Sequence, residues 1–291
     1  MADVSCVWPV GATLGEGPVW VTREAALWFT DIKQRKLHRL DPTSGNQQSW
    51  NAPEQPGFIV PASGARFIVG LKTGLHIFDP TSSSFDLLIA PEPDKPGNRL
   101  NDAVVDPIGR LWFGSMDDGE SANTGAVYRL EAGPRTVRVG GECCITNGPA
   151  ISPDGRILYH VDTLGRVIYR FDIRDDGSLG ERSIFSVIDE ADGYPDGPIT
   201  DAEGYLWLGL WAGWRARRYS PDGAIVAEVP IPAANVTKIA LGGPDLKTAY
   251  ATTARKGLSE QELAGQPEAG GLFSFRVDVP GLPVPDVTLG L

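Results

Sequence analysis

Four side chains that offer oxygen donors, Glu16, Asn101, Asn147 and Asp196, each stand 11 or 12 residues ahead of an aromatic landmark: Trp28, Trp112, Tyr159 and Trp207, respectively. Residues at one phase of a repeat gather on a common surface once the repeats stack. Two carboxylates gathered away from water repel each other unless a cation or a proton compensates them. Carboxylate and amide oxygens are hard donors, suited to calcium, magnesium or manganese and accepted by zinc and iron(II). With three protein donors, the remaining positions on such an ion stay open to water or substrate, which is the catalytic rather than the structural pattern. Taken singly, Asn147-Gly148-Pro149 and Pro195-Asp196-Gly197-Pro198 read as turns. Spacing separates them from the true hairpins: Asp154 lies five residues before Tyr159, whereas Asp196 lies eleven before Trp207 with its own turn, residues 201–204, between.

The elements that must carry these residues follow from the landmarks. The pairs Leu27-Trp28, Arg66-Phe67, Leu111-Trp112, Leu158-Tyr159, Leu206-Trp207 and Ala249-Tyr250 recur at steps of 39, 45, 47, 48 and 43 residues, the length of a four-stranded blade. Turn chemistry precedes them in Asp106-Pro107-Ile108-Gly109 and Ser152-Pro153-Asp154-Gly155, and a third apolar strand follows, as in Val127-Tyr128-Arg129-Leu130. The expectation is an all-β chain, one domain over residues 1–291, folded as a six-bladed β-propeller with four-stranded blades. Residues 5–10 are expected to close it as an N-terminal strand in the last blade, which also removes an exposed edge. A short helix is read near 259–264. In the polar ring the sixth unit offers Thr237 or Lys238, and the second offers Gln55 or Pro56.

The net charge of −11 excludes nucleic acid and anionic membrane as partners. No apolar run reaches the roughly 18 residues of a membrane span, and the N-terminus lacks the pattern of a secretory signal. Three cysteines, Cys6, Cys143 and Cys144, with no CxxC pair, read as reduced thiols in a cytoplasmic protein. His38 and His76 fall at a third-strand phase and His160 beside a landmark, so all three are structural. No GxSxG motif is present, which removes serine nucleophile chemistry. Arg99 beside Asn101 and Tyr194 beside Asp196 give the expected mouth a polar face with aromatic walls, suited to a hydroxyl-rich ligand. Asp31, Lys72, residues 116–118, Asp162, Trp211 and Arg255 are its expected rim.

Leu14-Gly15-Glu16-Gly17-Pro18-Val19-Trp20, Arg99-Leu100-Asn101-Asp102, Gly114-Ser115-Met116, Ile145-Thr146-Asn147-Gly148-Pro149 and Tyr194-Pro195-Asp196-Gly197 stand in this order along the chain. That ordered set resembles the regucalcin/gluconolactonase family, and within it the bacterial aldonolactonases such as those acting on xylonolactone. The resemblance implies Glu16, Asn147 and Asp196 as ligands of one divalent ion (calcium, zinc, manganese or iron(II)). It implies Arg99 and Asn101 at the substrate, with Asp118 or Glu120 in the place of the family's acidic substrate residue. It further implies hydrolysis of a sugar-acid lactone such as xylonolactone or gluconolactone, with Asp196 as the proton-transfer group; a self-closed propeller, for its part, is expected to stand alone as a monomer. Two other functions use the same ligands: a regucalcin-like calcium-binding protein without catalysis, and a promiscuous metal-dependent esterase.

Overall fold

The computed structural model describes residues 3–288. Nearly all of the regular secondary structure is strand, because short apolar alternations are cut every few residues by turns that only particular residues can make. In the turn before Leu111–Asp117, for example, the Asp106 carboxylate accepts the N–H groups of Ile108 and Arg110, while Gly109 takes a φ of +83°. The same device recurs with Asp201 and Gly204 ahead of Leu206–Trp211.

Four sheets are four-stranded antiparallel blades. They are Gly15–Val21 to Asn46–Asn51, Phe58–Pro61 to Ser84–Ile89, Asn98–Val105 to Arg135–Cys143, and Thr146–Ile151 to Ser183–Val187. The remaining strands form one eight-stranded sheet in the order Ser5–Trp8, Leu272–Arg276, Thr248–Ala254, Asn235–Gly242, Tyr194–Thr200, Leu206–Trp211, Arg215–Tyr219, Ile225–Pro230. The expectation of six separate blades is therefore corrected to four blades and one eight-stranded sheet. Gly197 is the physical reason. It pairs in parallel with Lys238, and a Cβ at Gly197 would lie 2.7 Å from the Lys238 Cγ and Cδ atoms, so only a glycine lets the two strands come alongside. The N-terminal strand is accordingly an edge of that larger sheet rather than the closing strand of a separate last blade; Ser5 lies opposite Ser274 and Cys6 opposite Phe273.

The landmark aromatics are core residues between neighbouring blades. Trp28 packs on Phe67 at 4.4 Å between ring centroids, and Trp112, Tyr159, Trp207 and Tyr250 are all buried. The innermost strands of the four blades, with Tyr194–Thr200 and Asn235–Gly242, neighbour one another in sequence order, and Gly15–Val21 meets Asn235–Gly242 to close the ring. The helix Glu260–Ala264 carries a reciprocal cap between Ser259 and Glu262. Among the described residues no helix is long and apolar enough to cross a membrane.

Candidate active site

Five of the innermost strands share one irregularity. Between Glu16 and Val19, Leu100 and Ala103, Asn147 and Ala150, Pro195 and Pro198, and Val236 and Ile239, three inner-strand steps face two on the neighbouring strand, which is a one-residue β-bulge. A bulge bends the strand and re-aims the side chains around it. Glu16 and Asn147 are the last regularly paired residues before their bulges, and Asn101 and Asp196 are the first inside theirs. That one-residue offset is the difference between spacings of 12 and 11. Phe58–Pro61 pairs without a bulge and contributes nothing to the site; Gln55, ahead of it, has a buried Oε1 without a hydrogen-bond partner but does not line the cavity.

At this level of the channel lies a cavity of about 260 Å³. Glu16, Arg99, Asn101, Glu120, Asn147, Tyr194 and Asp196 all line it, between apolar walls that include Leu14, Met116, Leu164 and Trp211. Asp118 does not line it and reaches it only through Arg99, whose Nε lies 3.1 Å from Asp118 Oδ1. Asp118 also meets Lys33 Nζ at 2.8 Å and Lys72 Nζ at 3.7 Å. Burial opposes ionisation of Asp118, but Lys33, Arg99 and Lys72 outweigh it and hold its carboxyl below the usual range.

A chain of hydrogen bonds fixes the polar wall. Arg99 Nη1 donates to Asn101 Oδ1 at 2.5 Å and to Leu100 O at 3.2 Å. Asn101 Nδ2 donates to Thr146 O at 2.7 Å and to Asn147 Oδ1 at 3.0 Å. Asn147 Nδ2 turns away to Thr163 Oγ1 at 2.8 Å, which leaves its oxygen facing the cavity side. Glu16 Oε2 accepts from the Gly17 N–H at 3.0 Å.

Charge is unbalanced here. Burial and the Asp102 charge push Glu16 up to about 7. Burial, Glu16 and Asp102 raise Asp196 well above the ordinary carboxylate range. Lys238 forms an ion pair with Asp102, and both are almost fully buried. Of three neighbouring carboxylates, one has its own ammonium, and Glu16 and Asp196 are left without one. A divalent cation is the charge that fits this deficit, with Asn147 Oδ1 as a third donor. Among the described residues there is no group of three His, Cys, Asp or Glu side chains placed to hold a metal, so the amide oxygen is essential to such a site.

A larger cavity, about 390 Å³, occupies the other end of the channel. Its lining is mainly Val, Ile, Leu and Pro, and Lys238 and Asp102, which also line it, are paired to each other, so it offers no reactive constellation. The three histidines lie outside the 260 Å³ cavity. His160 Nε2 sits 3.9 Å from Cys143 Sγ, but burial lowers the imidazole to about 4 and raises the thiol to about 12, so neither is charged at neutral pH. Sequence reasoning missed Thr163, Lys256 and the Lys238–Asp102 pair; Lys238 appeared only as one of two residues at the sixth ring position.

The model of the SMP-30/Gluconolactonase/LRE-like region matches residues 14–255. The chain is 36% identical to a 6-deoxy-6-sulfogluconolactonase of Pseudomonas putida, over 97% of each chain. It is 37% identical to an L-arabinolactonase of Azospirillum brasilense, over 90% of this chain and 87% of that protein. A solved structure described as a calcium-binding protein, regucalcin, from Agrobacterium tumefaciens superposes with a TM-score of 0.95 at 28% identity, over 99% of this chain and 98% of that one.

Proposed function

The chain belongs to the SMP-30/gluconolactonase/LRE-like family, and from that premise we propose that it hydrolyses a sugar-acid lactone to the open-chain acid. One divalent ion held by Glu16, Asn147 and Asp196 completes the proposed site. The observation that carries this reading is the pair of buried, uncompensated carboxylates opening on the cavity beside the Arg99–Asn101 wall. Relatives named for sugar lactones support the reaction class.

When bound, the ion supplies Lewis acidity toward the lactone carbonyl. Asp196 accepts a proton as water oxygen bonds to the carbonyl carbon. As the ring carbon–oxygen bond breaks, Asp196 returns that proton to the leaving ring oxygen. Arg99 and Asn101, locked to each other, orient the carbonyl and the sugar hydroxyls, so that little ordering is left for the reaction step. Tyr194 and Trp211 cover the C–H faces of the sugar, and Glu120 accepts from its hydroxyls. Free cysteines support a reducing, cytoplasmic setting.

The test is a panel of gluconolactone, arabinonolactone and xylonolactone, assayed by proton release after chelation and with calcium, zinc, manganese or iron(II) restored. Turnover is expected to vanish with chelator and in Asp196→Ala, and to return with one or more ions in the unmodified protein. Full turnover without metal, or in Asp196→Ala, rejects the proposal. A second reading, calcium binding without catalysis, is favoured by the likeness to the calcium-binding structure; metal binding with no lactone opened would select it.

A further inference from the structure

Among the described residues, one ion pair has both of its partners on the lining of the 260 Å³ cavity: Lys256 with Glu120. Each stands on a backbone that is already fixed. Lys256 follows the strand Thr248–Ala254; its N–H donates to Thr13 O at 2.9 Å, and its carbonyl accepts from Asn235 Nδ2 at 3.1 Å. Glu120 follows Leu111–Asp117 in a turn that Asp117 pins. Glu120 N donates to Asp117 O at 3.0 Å, and the Asp117 carboxylate accepts from Ser121 N and Ala122 N.

The two side chains are held only by each other. Lys256 Nζ donates to Glu120 Oε1, and neither side chain makes a further hydrogen bond among the described residues. They are 32% and 34% exposed, and an ion pair so open to water adds little to stability. Anchoring the fold is therefore a weak reason for a contact that joins the third blade to the eight-stranded sheet along a cavity wall. What the pair leaves unused points to a ligand. The carboxylate keeps Oε2 as an acceptor, and the ammonium keeps two of its three N–H donors. A hydroxyl both donates and accepts, so one hydroxyl, or two on adjacent carbons, matches an acceptor and a donor held side by side. Arg99 and Asn101 line the same cavity, so a sugar ring held by them brings its remaining hydroxyls into the space that this pair borders.

We infer that Lys256 is a specificity-determining residue for a hydroxyl of the lactone: it orients the Glu120 carboxylate to accept from that hydroxyl and donates to the hydroxyl oxygen itself. This rests on the lactonase reading above and adds to it a residue and a point of substrate recognition. Without the ammonium, the Glu120 side chain regains rotamer freedom that must be lost again on binding. Removing a hydrogen bond to a charged group costs about tenfold or more in affinity.

The experiment uses the metal-restored full chain and whichever of gluconolactone, arabinonolactone and xylonolactone it opens fastest, with the counterparts of that lactone that each lack one hydroxyl. Lys256→Met, or Lys256→Gln if the first does not fold, is expected to lower kcat/KM on the parent lactone about tenfold, while Lys256→Arg stays within about threefold. The loss falls chiefly on KM, because the hydroxyl is held alike in the ground and transition states. One deoxy lactone should cost the unmodified protein about the same tenfold, and on that lactone alone the Lys256 substitution should cost less than about twofold. Glu120→Gln should give the same pattern from the other partner, and thermal unfolding verifies that each variant is folded. A loss equal on every deoxy lactone marks a structural role and overturns the inference, as does an unchanged KM on the parent lactone; both leave the lactonase reading standing. If the unmodified, metal-loaded protein opens no lactone, the lactonase reading itself fails, and the inference with it.

Discussion

Arg99 is buried to 3% exposure, and burial lowers its pKa even though Asp118, Glu120 and Glu16 oppose that shift. Desolvating a guanidinium is worthwhile where its planar fork fixes several acceptors at once, and here it holds Asn101 Oδ1, Leu100 O and Asp118. A lysine has no second nitrogen to reproduce that geometry. Arg99→Lys is expected to lower kcat/KM on the preferred lactone about a hundredfold while metal affinity, measured by calorimetry, changes little. Glu16 and Asp196 set a second expectation. Their folded-state pKa values lie above the unfolded ones, so the metal-free native state binds more protons than the unfolded chain over that interval. Its stability is therefore greatest below about pH 4.5 as far as these two groups are concerned, and falls as pH rises through about 7. Tm in chelator should drop between pH 5 and 8, and the gain from added metal should be larger at pH 8, because protons no longer compete for the carboxylates. A Tm in chelator that rises over this interval would contradict the charge deficit. These two carboxylates were legible in the sequence because a polar residue at a repeated channel phase has no packing reason to be there. Thr163, which orients Asn147, was not legible, because nothing in its own segment marks it off from any other turn threonine.

At the scale of elements, the bulges explain both what the repeat disclosed and what it concealed. The aromatic landmarks stand on second strands that alternate regularly, so their spacing was readable. Five of the six inner strands carry an extra residue, and the alternation that would assign a face to each side chain is broken where the chemistry is. The sequence likewise suggested six separate blades, since a parallel contact made by one glycine leaves no periodic trace. Beneath the site, Lys238 and Asp102 bind these strands together. Asp102 accepts from Gly148 N at 2.9 Å, next to Asn147, and from Lys238, whose stem lies against Gly197, next to Asp196. The partners are 136 residues apart in the chain, beyond any local pattern. Lys238→Met would leave a third unpaired carboxylate beside Glu16 and Asp196, a change expected to destabilise by about 3–5 kcal/mol in urea unfolding with chelator present. Adding Asp102→Asn removes the orphaned charge and should recover more than half of that loss. A double variant as unstable as the single one would show that the ammonium acts by packing and not by charge.

Over the whole molecule, the channel has two ends of opposite character, divided at the Lys238–Asp102 pair, which lines the apolar cavity from below the polar one. The polar end is open to substrate. The apolar end is covered by the chain's own last segment. Leu282, Pro283, Val284 and Pro285 lie over the 390 Å³ cavity. Backbone hydrogen bonds fasten the segment around the ring: Gly281 N to Leu246 O at 2.8 Å, Ala202 N to Pro280 O at 2.9 Å, Val287 N to Pro61 O at 2.9 Å and Thr288 N to Gly109 O at 2.9 Å. Arg23 adds an ion pair with Asp286. The segment thus ties the eight-stranded sheet to the first three blades, which complements the pairing of Ser5–Trp8 with Leu272–Arg276. Removing residues 282–291 would expose the Val, Ile and Leu side chains of the inner strands to water and break the ties that Asp286, Val287 and Thr288 make to the first three blades. At the usual worth of buried apolar side chains, the loss is on the order of 2–4 kcal/mol, or a fall in Tm of roughly 3–7 °C for a domain of this size. Metal affinity should stay within about twofold of the full chain, because every proposed ligand lies on the far side of the ion pair. If the truncated protein kept its Tm, the strap would be ornamental to stability. If it lost metal binding while still folded, the two ends of the channel would be coupled through Lys238 and Asp102 and not insulated by them.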